Sequence, residues 1–347
     1  MSSKTSSPAL VSFAVTRKCD LKCLHCYTSS GDPDPNELST DEAKGVISEI
    51  AATGAHLLIF DGGEPLLRED LPELVKHAAG SGIRPVLGSN AMNMSREMAR
   101  TLKRAGLLAV QISLDGDNAK THDHLRGLPG AWEKTMQGIK NCAEEGLGFQ
   151  LAPLMHPANF NQLDAIVEIA RANRANAVEI FDFVSSGRGR EHAELELDTD
   201  QRKALVQKVI SYLKRPEYKH MIFRLVAVPQ YYVAADKGLP EDVMLERFVR
   251  TCCAAGTRYA TILPDGDVVP CMVLQVKAGN VRERPFNEIW ENADVFMQLR
   301  DRNLLKGKCS NCRYRTTCAG ARCKAYEKTG DMLAEDPTCW FTESEIS

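Results

Sequence analysis

Three cysteines with the spacing Cys-x3-Cys-x2-Cys follow the first predicted strand, Val11–Val15, at Cys19, Cys23 and Cys26. Soft thiolates are the ligands that select iron–sulfur clusters or zinc. Three thiolates on one short loop can hold three irons of a 4Fe–4S cluster, which leaves the fourth iron without a protein ligand. A structural zinc ion normally has four ligands, and His25 inside the loop could be the fourth. The loop therefore predicts a cluster with an open iron or a closed zinc site.

Most of the remaining cysteines lie near the other end of the chain. The first residues form no apolar signal segment, so we expect a cytoplasmic protein, and a reducing compartment disfavours disulfides. The clustered thiols are therefore expected to hold metal, as iron–sulfur clusters or as structural zinc. Cys142 stands alone in a predicted helix and is expected to be a small core residue. The clustered group is Cys252, Cys253, Cys271, Cys309, Cys312, Cys318, Cys323 and Cys339.

Short apolar runs alternate with helical stretches of about 10–15 residues up to Ser185, a pattern typical of βαβ units and a parallel sheet. Six units are too few for a closed eight-stranded barrel, so we expect an α/β fold with a partial, open (β/α)6 barrel. Its chemistry should lie at the carboxyl ends of the strands. The six predicted strands are Val11–Val15, His56–Phe60, Arg84–Gly88, Ala109–Leu114, Phe149–Leu154 and Ala177–Val184.

Polar motifs follow three of these strands: Gly62-Gly63-Glu64-Pro65 after the second, Gly88-Ser89-Asn90 after the third and Ser113-Leu114-Asp115-Gly116 after the fourth. Together with the cysteine triplet, they resemble the motifs of radical S-adenosylmethionine (SAM) enzymes. The resemblance implies that the triplet holds the catalytic 4Fe–4S cluster, whose open iron binds the amino and carboxylate groups of SAM. The SAM-binding residues that it implies are His25, Gly62, Gly63, Glu64, Ser89, Asn90, Ser113, Asp115 and Arg126.

The C-terminal cysteine pattern resembles the SPASM domain, an extension that carries two auxiliary 4Fe–4S clusters. The resemblance implies three 4Fe–4S clusters in the whole chain. The link between Cys318 and Cys323 has four residues, one more than the family pattern. Whether one or both of Cys252 and Cys253 are ligands stays open. By this resemblance the distal cluster is held by Cys309, Cys312, Cys318 and Cys339, and the nearer one by Cys252 or Cys253, Cys271 and Cys323.

Six further segments carry a closer resemblance: Arg126–Trp132, Phe183–Gly189, Val228–Tyr232, Ala278–Glu283, Phe286–Trp290 and Thr329–Pro337. They are similar to the SPASM enzymes of the alternative heme and heme d1 pathways. That branch decarboxylates propionates or removes other side chains of a tetrapyrrole. The resemblance implies a tetrapyrrole substrate, a radical mechanism, and a reductant such as flavodoxin or ferredoxin.

A tetrapyrrole carries several carboxylates, which guanidinium groups bind well. Arg188 and Arg190 follow the sixth predicted strand and are predicted substrate contacts. Arg322 and Lys324 flank a predicted cluster cysteine and are further candidates. Solvated surface charge is the alternative for each of the four.

Two other functions compete with a tetrapyrrole enzyme. Many SPASM enzymes crosslink or epimerise ribosomally made peptides, so a peptide maturase is the main alternative. A non-catalytic iron–sulfur electron carrier is the second. The Gly-Gly-Glu-Pro and Ser-Leu-Asp-Gly motifs argue against a carrier, because it needs no SAM pocket.

Composition excludes other classes of partner. The 347 residues include 43 basic and 46 acidic side chains, giving a net charge of -3, with no basic block. We therefore expect no nucleic-acid partner. No apolar run approaches the ~18 residues of a membrane span, so we expect no membrane partner. The predicted domains are a barrel over residues 9–205, a bridging helical region over 206–250 and the SPASM domain over 251–347.

Overall fold

The computed structural model describes residues 7–238 and 253–346. Strands and helices alternate through its first two thirds, as the apolar runs predict. Among the described helices, none is long and apolar enough to cross a membrane. The strands are β1 (Leu10–Thr16), β2 (Leu57–Gly62), β3 (Arg84–Ser89), β4 (Ala109–Ile112), β5 (Gly148–Leu151), β6 (Leu154–Met155), β7 (Ala177–Asp182), β8 (Ile222–Val226), β9 (Tyr259–Ile262), β10 (Asp267–Val269) and β11 (Gly279–Asn280). The helices are α1 (Thr40–Ala52), α2 (Leu71–Gly80), α3 (Arg96–Ala105), α4 (Ala119–Arg126), α5 (Ala131–Glu145), α6 (Leu163–Ala172), α7 (Thr199–Lys214), α8 (Gln230–Gly238), α9 (Phe286–Asn292), α10 (Asp294–Arg300), α11 (Lys308–Asn311), α12 (Arg322–Thr329) and α13 (Glu343–Ile346).

One sheet organises the molecule, in the order β11-β10-β9-β1-β2-β3-β4-β5-β7-β6, with β8 also paired to β7. The strands from β1 through β5, together with β7 and β8, are parallel neighbours. This confirms the expected partial α/β barrel. Strand β8 is an addition to the six predicted strands and lies in the segment expected to be helical. Five residues, with Arg224 in the middle of four apolar ones, are too few to show by periodicity which structure they form.

The chain returns to the barrel after the segment that the structure leaves undescribed. Strand β9 pairs in parallel with β1, with Leu10 opposite Tyr259 and Phe13 opposite Ile262. The antiparallel hairpin of β9 and β10 therefore extends the barrel sheet, and Ile262 belongs to the main core. A smaller apolar cluster surrounds the C-terminal cysteines and includes Leu274 and Leu299.

Alternation along the strands gives the sheet two different faces. Val11, Phe13 and Val15 are fully buried and pack in the main core with the helices. Helix α1 begins after Ser39, whose hydroxyl accepts from the backbone N–H of Glu42 in a capping box, as expected for a Ser N-cap. The opposite face of the strands is directed to the barrel interior.

The predicted strand Phe149–Leu154 is interrupted. Proline has no N–H to donate to a sheet, and β5 ends at Leu151, just before Ala152 and Pro153. The next free N–H, that of Leu154, donates to Asp115 Oδ1 at 2.8 Å. The interruption therefore helps to fix a buried carboxylate at the carboxyl end of β4.

Candidate active site

The three cysteines of the first motif lie together on the loop after β1. Cys19, Cys23 and Cys26 pack with buried Leu21 and Ala131 in one small apolar cluster. Burial raises the pKa of the Cys19 thiol to about 12, and it raises the pKa of Cys23 as well. Such desolvated thiols ionise when a metal replaces the proton, so this donor set fits a thiolate-ligated iron–sulfur cluster.

A buried ion pair stands beside this loop. Arg126, at the end of α4, donates through Nε to Asp115 Oδ2 at 2.6 Å, and its Nη1 lies 3.8 Å from Cys23 Sγ. Burial alone would raise the pKa of Asp115, but Arg126 and the neighbouring histidines hold that pKa near 2. Asp115 is fully buried and stays ionised. The pair thus places a guanidinium where it stabilises a thiolate.

Glu64 is the centre of a second buried network. Its carboxylate accepts from Ser89 Oγ at 2.8 Å, from the Asn90 N–H at 2.8 Å and from the Leu66 N–H at 3.1 Å. Burial raises the pKa of Glu64 to about 7 despite these bonds. Asn90 Nδ2 also donates to Asp20 Oδ1 at 2.8 Å, which ties the end of β3 to the cysteine loop.

The glycine pair before Glu64 lies against the backbone that leads to Cys19. Gly63 N–H donates to Thr16 O at 2.7 Å. A Cβ on Gly63 would lie 2.7 Å from Arg17 O and closer still to Lys18 O. Gly62 has φ +135°, a conformation that favours glycine. These close approaches explain why the turn after β2 contains two glycines.

His25 and Ser113 complete the predicted SAM-binding set. His25 is buried, and burial followed by the Arg126 charge lowers its pKa to about 3, so the imidazole is neutral. Within the described residues, His25 Nδ1 has no hydrogen-bond partner. Half-buried Ser113 donates its N–H to Ser89 O at 3.1 Å. The structure therefore brings all nine predicted residues to one edge of the barrel.

The two predicted substrate arginines have different surroundings. Arg188 donates from its N–H to Cys26 O at 3.0 Å and from Nε to Cys23 O at 2.7 Å. It therefore stabilises the backbone of the cysteine loop, a contact that the sequence did not reveal. Arg190 is exposed and pairs with Glu327 on α12 at 2.9 Å. Their role as substrate contacts stays a prediction.

Arg322 and Lys324 are buried, so the alternative of solvated surface charge is wrong for both. Lys324 Nζ forms a short ion pair with Asp182 at the end of β7. Asp182 Oδ2 also accepts from Arg202 Nε at 2.8 Å. All three side chains are nearly inaccessible to solvent. This triad, Asp182–Arg202–Lys324, joins the barrel to α12.

The C-terminal cysteines form two groups. Cys253, Cys271 and Cys323 lie in one cluster. Burial raises the pKa of Cys323, and the charges of Cys271 and Cys253 raise it further. Cys252 lies outside the described residues. Burial is the largest cause and raises the pKa of Cys271 to about 12. The second group, which lines one cavity, is Cys309, Cys312, Cys318 and Cys339.

A polar network crosses the inner face of the barrel. Gln150 Nε2 donates to Gln111 Oε1 at 3.0 Å and to Glu179 Oε2 at 2.8 Å, and Arg224 Nη1 donates to Gln150 Oε1 at 3.3 Å. All four are half-buried, although the alternate residues of the same strands are buried in the main core. These four residues are not among the predicted site residues, although their polar types at alternating strand positions are a signal that the sequence contains.

The sequence matches the Radical SAM superfamily over residues 13–170 and the SPASM iron–sulfur cluster-binding domain over residues 252–313. It is 36% identical to the AdoMet-dependent heme synthase of Methanosarcina barkeri, covering 98% of this chain and 99% of that protein. It is 30% identical to the pre-heme d1 synthase of Dinoroseobacter shibae (98% and 88% covered) and to the PqqA peptide cyclase of Rhodopseudomonas palustris (96% and 86%). The fold is similar to that of Streptococcus suis SuiB bound to its precursor peptide SuiA, with a TM-score of 0.77, 17% identity, and 97% and 76% of the chains covered.

Proposed function

We propose that this chain, which belongs to the radical SAM superfamily and carries a SPASM domain, converts propionate side chains of a tetrapyrrole by radical decarboxylation. The observation that carries the proposal is the 36% identity with a heme synthase along nearly the whole of both chains. An end-to-end match includes the barrel and the SPASM domain together. Because both domains can border the substrate, their joint similarity supports a similar substrate class.

The proposed catalytic cluster is held by Cys19, Cys23 and Cys26. When bound, it supplies one electron to the SAM sulfonium, which yields a 5′-deoxyadenosyl radical able to remove hydrogen from an unactivated C–H bond. Asp115 orients Arg126 toward the Cys23 sulfur by their 2.6 Å ion pair. In this proposal, the buried ion pair stabilises the thiolate side of the site and excludes water from it.

SAM is proposed to lie along the edge formed by the ends of β2, β3 and β4. The Glu64 carboxylate, already fixed by Ser89 and the Asn90 N–H, is poised to accept from the amino group of SAM. The neutral His25 ring is proposed to pack on SAM, and its buried Nδ1, which has no hydrogen-bond partner in the described part of the chain, is proposed to bond with it.

The number of clusters is part of the proposal: one catalytic and two auxiliary 4Fe–4S clusters. Hydrogen abstraction at the propionate β-carbon followed by loss of carbon dioxide leaves a vinyl group and one electron. An auxiliary cluster held by the C-terminal cysteines would supply an acceptor for that electron. The proposed distal ligands are Cys309, Cys312, Cys318 and Cys339, and the proposed near ligands are Cys253, Cys271 and Cys323, with Cys252 as a further candidate.

We propose Arg224 as a contact for a substrate carboxylate, in addition to Arg188 and Arg190. Its guanidinium is half-buried on the inner face of the barrel and makes one 3.3 Å hydrogen bond, to Gln150. A fork of N–H donors in a partly desolvated site suits bidentate carboxylate binding. Glu179 lies opposite Arg224 in the sheet register and limits the net positive charge there.

A peptide maturase is the second candidate. The 30% identity with a peptide cyclase, over 96% of this chain, supports it. The lower identity and the smaller covered share of that relative make it weaker than the tetrapyrrole proposal.

The test is anaerobic incubation of reconstituted protein with dithionite, SAM and iron-coproporphyrin III, read by mass spectrometry. We expect 5′-deoxyadenosine together with one or two propionates converted to vinyl groups. The Cys23→Ala variant should form neither product, while Cys142→Ala, which removes a buried cysteine of the main core, should form both. Deoxyadenosine with unchanged porphyrin would overturn the proposal that iron-coproporphyrin III is the substrate. Siroheme-derived tetrapyrroles and then peptides would be tested next. Replacing dithionite with flavodoxin or ferredoxin tests the proposed reductant.

A further inference from the structure

Arg322 is a buried cation that is not in ion-pair contact with any carboxylate of residues 7–238 and 253–346. It is fully inaccessible to solvent. Its Nη1 donates to Ala334 O at 2.6 Å and to Met332 O at 3.1 Å. Within the described parts of the chain it forms no ion pair with a carboxylate. Carbonyl oxygens satisfy the N–H donors but do not neutralise the charge, and an uncompensated buried charge is costly.

The remaining arm of the guanidinium is directed at a cysteine. Arg322 Nη2 lies 3.7 Å from Cys309 Sγ. Cys309 lines the same cavity as Cys312, Cys318 and Cys339. Thiolates that hold an iron–sulfur cluster there would supply the negative charge that Arg322 lacks.

The four-residue link between Cys318 and Cys323 creates this contact. Ala319 and Gly320 both have left-handed backbone conformations, with φ +60° and +64°. A Cβ on Gly320 would collide with Arg322 Nη2 and would lie 3.3 Å from Cys309 Sγ. The glycine therefore leaves the space through which the guanidinium reaches the sulfur. The extra residue of this link, relative to the family pattern, belongs to the segment that positions Arg322.

Two other cations, Lys308 and Arg315, also line the cavity. Lys308 Nζ donates to Cys339 O at 3.4 Å and Arg315 Nη1 donates to Ser310 O at 3.3 Å, whereas Arg322 is directed at a cysteine sulfur. Asp336 lines the cavity, but its carboxylate accepts from Gln230 Nε2 at 2.9 Å and from the Ala321 N–H at 2.7 Å. Asp331 pairs with Lys306 at 2.6 Å. Neither carboxylate is in ion-pair contact with Arg322.

We propose that Arg322 is a buried counter-cation of the distal auxiliary cluster and raises its reduction potential. This inference rests on the proposed assignment of Cys309, Cys312, Cys318 and Cys339 to that cluster. Reduction adds one negative charge to the cluster. A fixed guanidinium beside one of its sulfurs stabilises that added charge, because net charge and hydrogen bonds to sulfur set cluster potentials. Arg322 therefore acts as a positioning residue that favours electron acceptance at the distal cluster.

The test uses the full chain with Cys19, Cys23 and Cys26 replaced by alanine, so that only auxiliary clusters contribute to the spectra. Iron content and EPR-monitored redox titration are compared for Arg322→Met, Arg322→Lys and the control Lys328→Met. The control removes an exposed cation from the same helix. We expect Arg322→Met to lower the equilibrium constant for reduction of one auxiliary cluster by at least tenfold, which is 59 mV for one electron. Arg322→Lys should shift it less, and Lys328→Met should not shift it.

Full iron content with an unchanged potential in Arg322→Met would overturn the inference. If that variant loses its cluster, Arg322→Lys decides: retained iron with an intermediate potential supports a charge role, and loss in both overturns the potential claim. If the parent itself binds no auxiliary cluster, the ligand assignment fails and the inference fails with it. None of these measurements requires the tetrapyrrole, so they are independent of the proposed substrate.

Discussion

The triad that joins the barrel to α12 gives a quantitative prediction about stability. Asp182 is fully buried and accepts from Arg202 and Lys324, whose side chains are 7% and 5% exposed. Asp182→Asn leaves two buried cations without their anion. Removing one partner of a buried ion pair costs about 3–5 kcal/mol. We take about 3 kcal/mol, because the asparagine oxygen can still accept one hydrogen bond.

That loss converts to a melting temperature. An unfolding entropy of about 2.1 cal/mol/K per residue gives about 0.7 kcal/mol/K for 347 residues. The expected decrease in Tm is therefore about 4 °C, measured by anaerobic calorimetry on the reconstituted protein. Iron content is determined on the same samples, to show that any shift is not caused by cluster loss.

A matched exposed carboxylate provides the control. Glu144 also faces two cations, Arg96 at 3.4 Å and Lys140 at 3.8 Å, but those side chains are 59% and 63% exposed. Exposed pairs contribute about 0–1 kcal/mol, so Glu144→Gln should change Tm by about 1 °C or less. Equal shifts in the two variants would show that burial does not strengthen the triad, and the reasoning would fail.

Three further variants test the barrel. Burial raises the pKa of Asp61 to about 6, so the cost of its charge is absent below pH 3.8 and fully present above pH 6. Asp61→Asn should therefore stabilise the fold by up to about 3 kcal/mol at pH 8 and by about half as much at pH 5. Equal gains at the two pH values, measured by denaturant unfolding, would contradict this. Arg224→Gln should weaken iron-coproporphyrin binding by about tenfold or more in an absorbance titration and leave SAM binding unchanged, with exposed Arg171→Gln as control. Gly63→Ala should reduce SAM binding in anaerobic equilibrium dialysis, because its Cβ would meet the carbonyls of Arg17 and Lys18. Gly80→Ala is the control, since a Cβ there meets nothing within 4 Å. Equal losses of SAM binding in the two variants would refute the steric argument.

The candidate site was largely predictable from the sequence because its parts are local. Three thiols within eight residues already predict a metal site. The motifs at Glu64, Asn90 and Asp115 each follow a strand, and the ends of parallel strands meet at one edge. The parallel order of the strands is therefore sufficient to predict that these residues lie close together.

Contacts between distant segments were not predictable. The sequence did not indicate that Arg188 holds the backbone of the cysteine loop, or that Asp182 faces Lys324 across 142 residues. Strand β8 was not predicted, because its residues form a strand through pairing with β7 and not through local periodicity. The break at Pro153 turned one predicted strand into two pieces.

The sequence by itself determined the chemistry, since cysteine, glycine and carboxylate types at fixed spacings specify ligands and turns through local geometry. Only the tertiary structure decided the electrostatics. Arg322 and Lys324 are neighbours of the same cysteine and have ordinary positive charges in sequence. Folding directs one at Cys309 and the other at Asp182 and removes both from water. Burial and the identity of a partner are properties of segments far apart in the chain, so spacing within a motif carries no record of them.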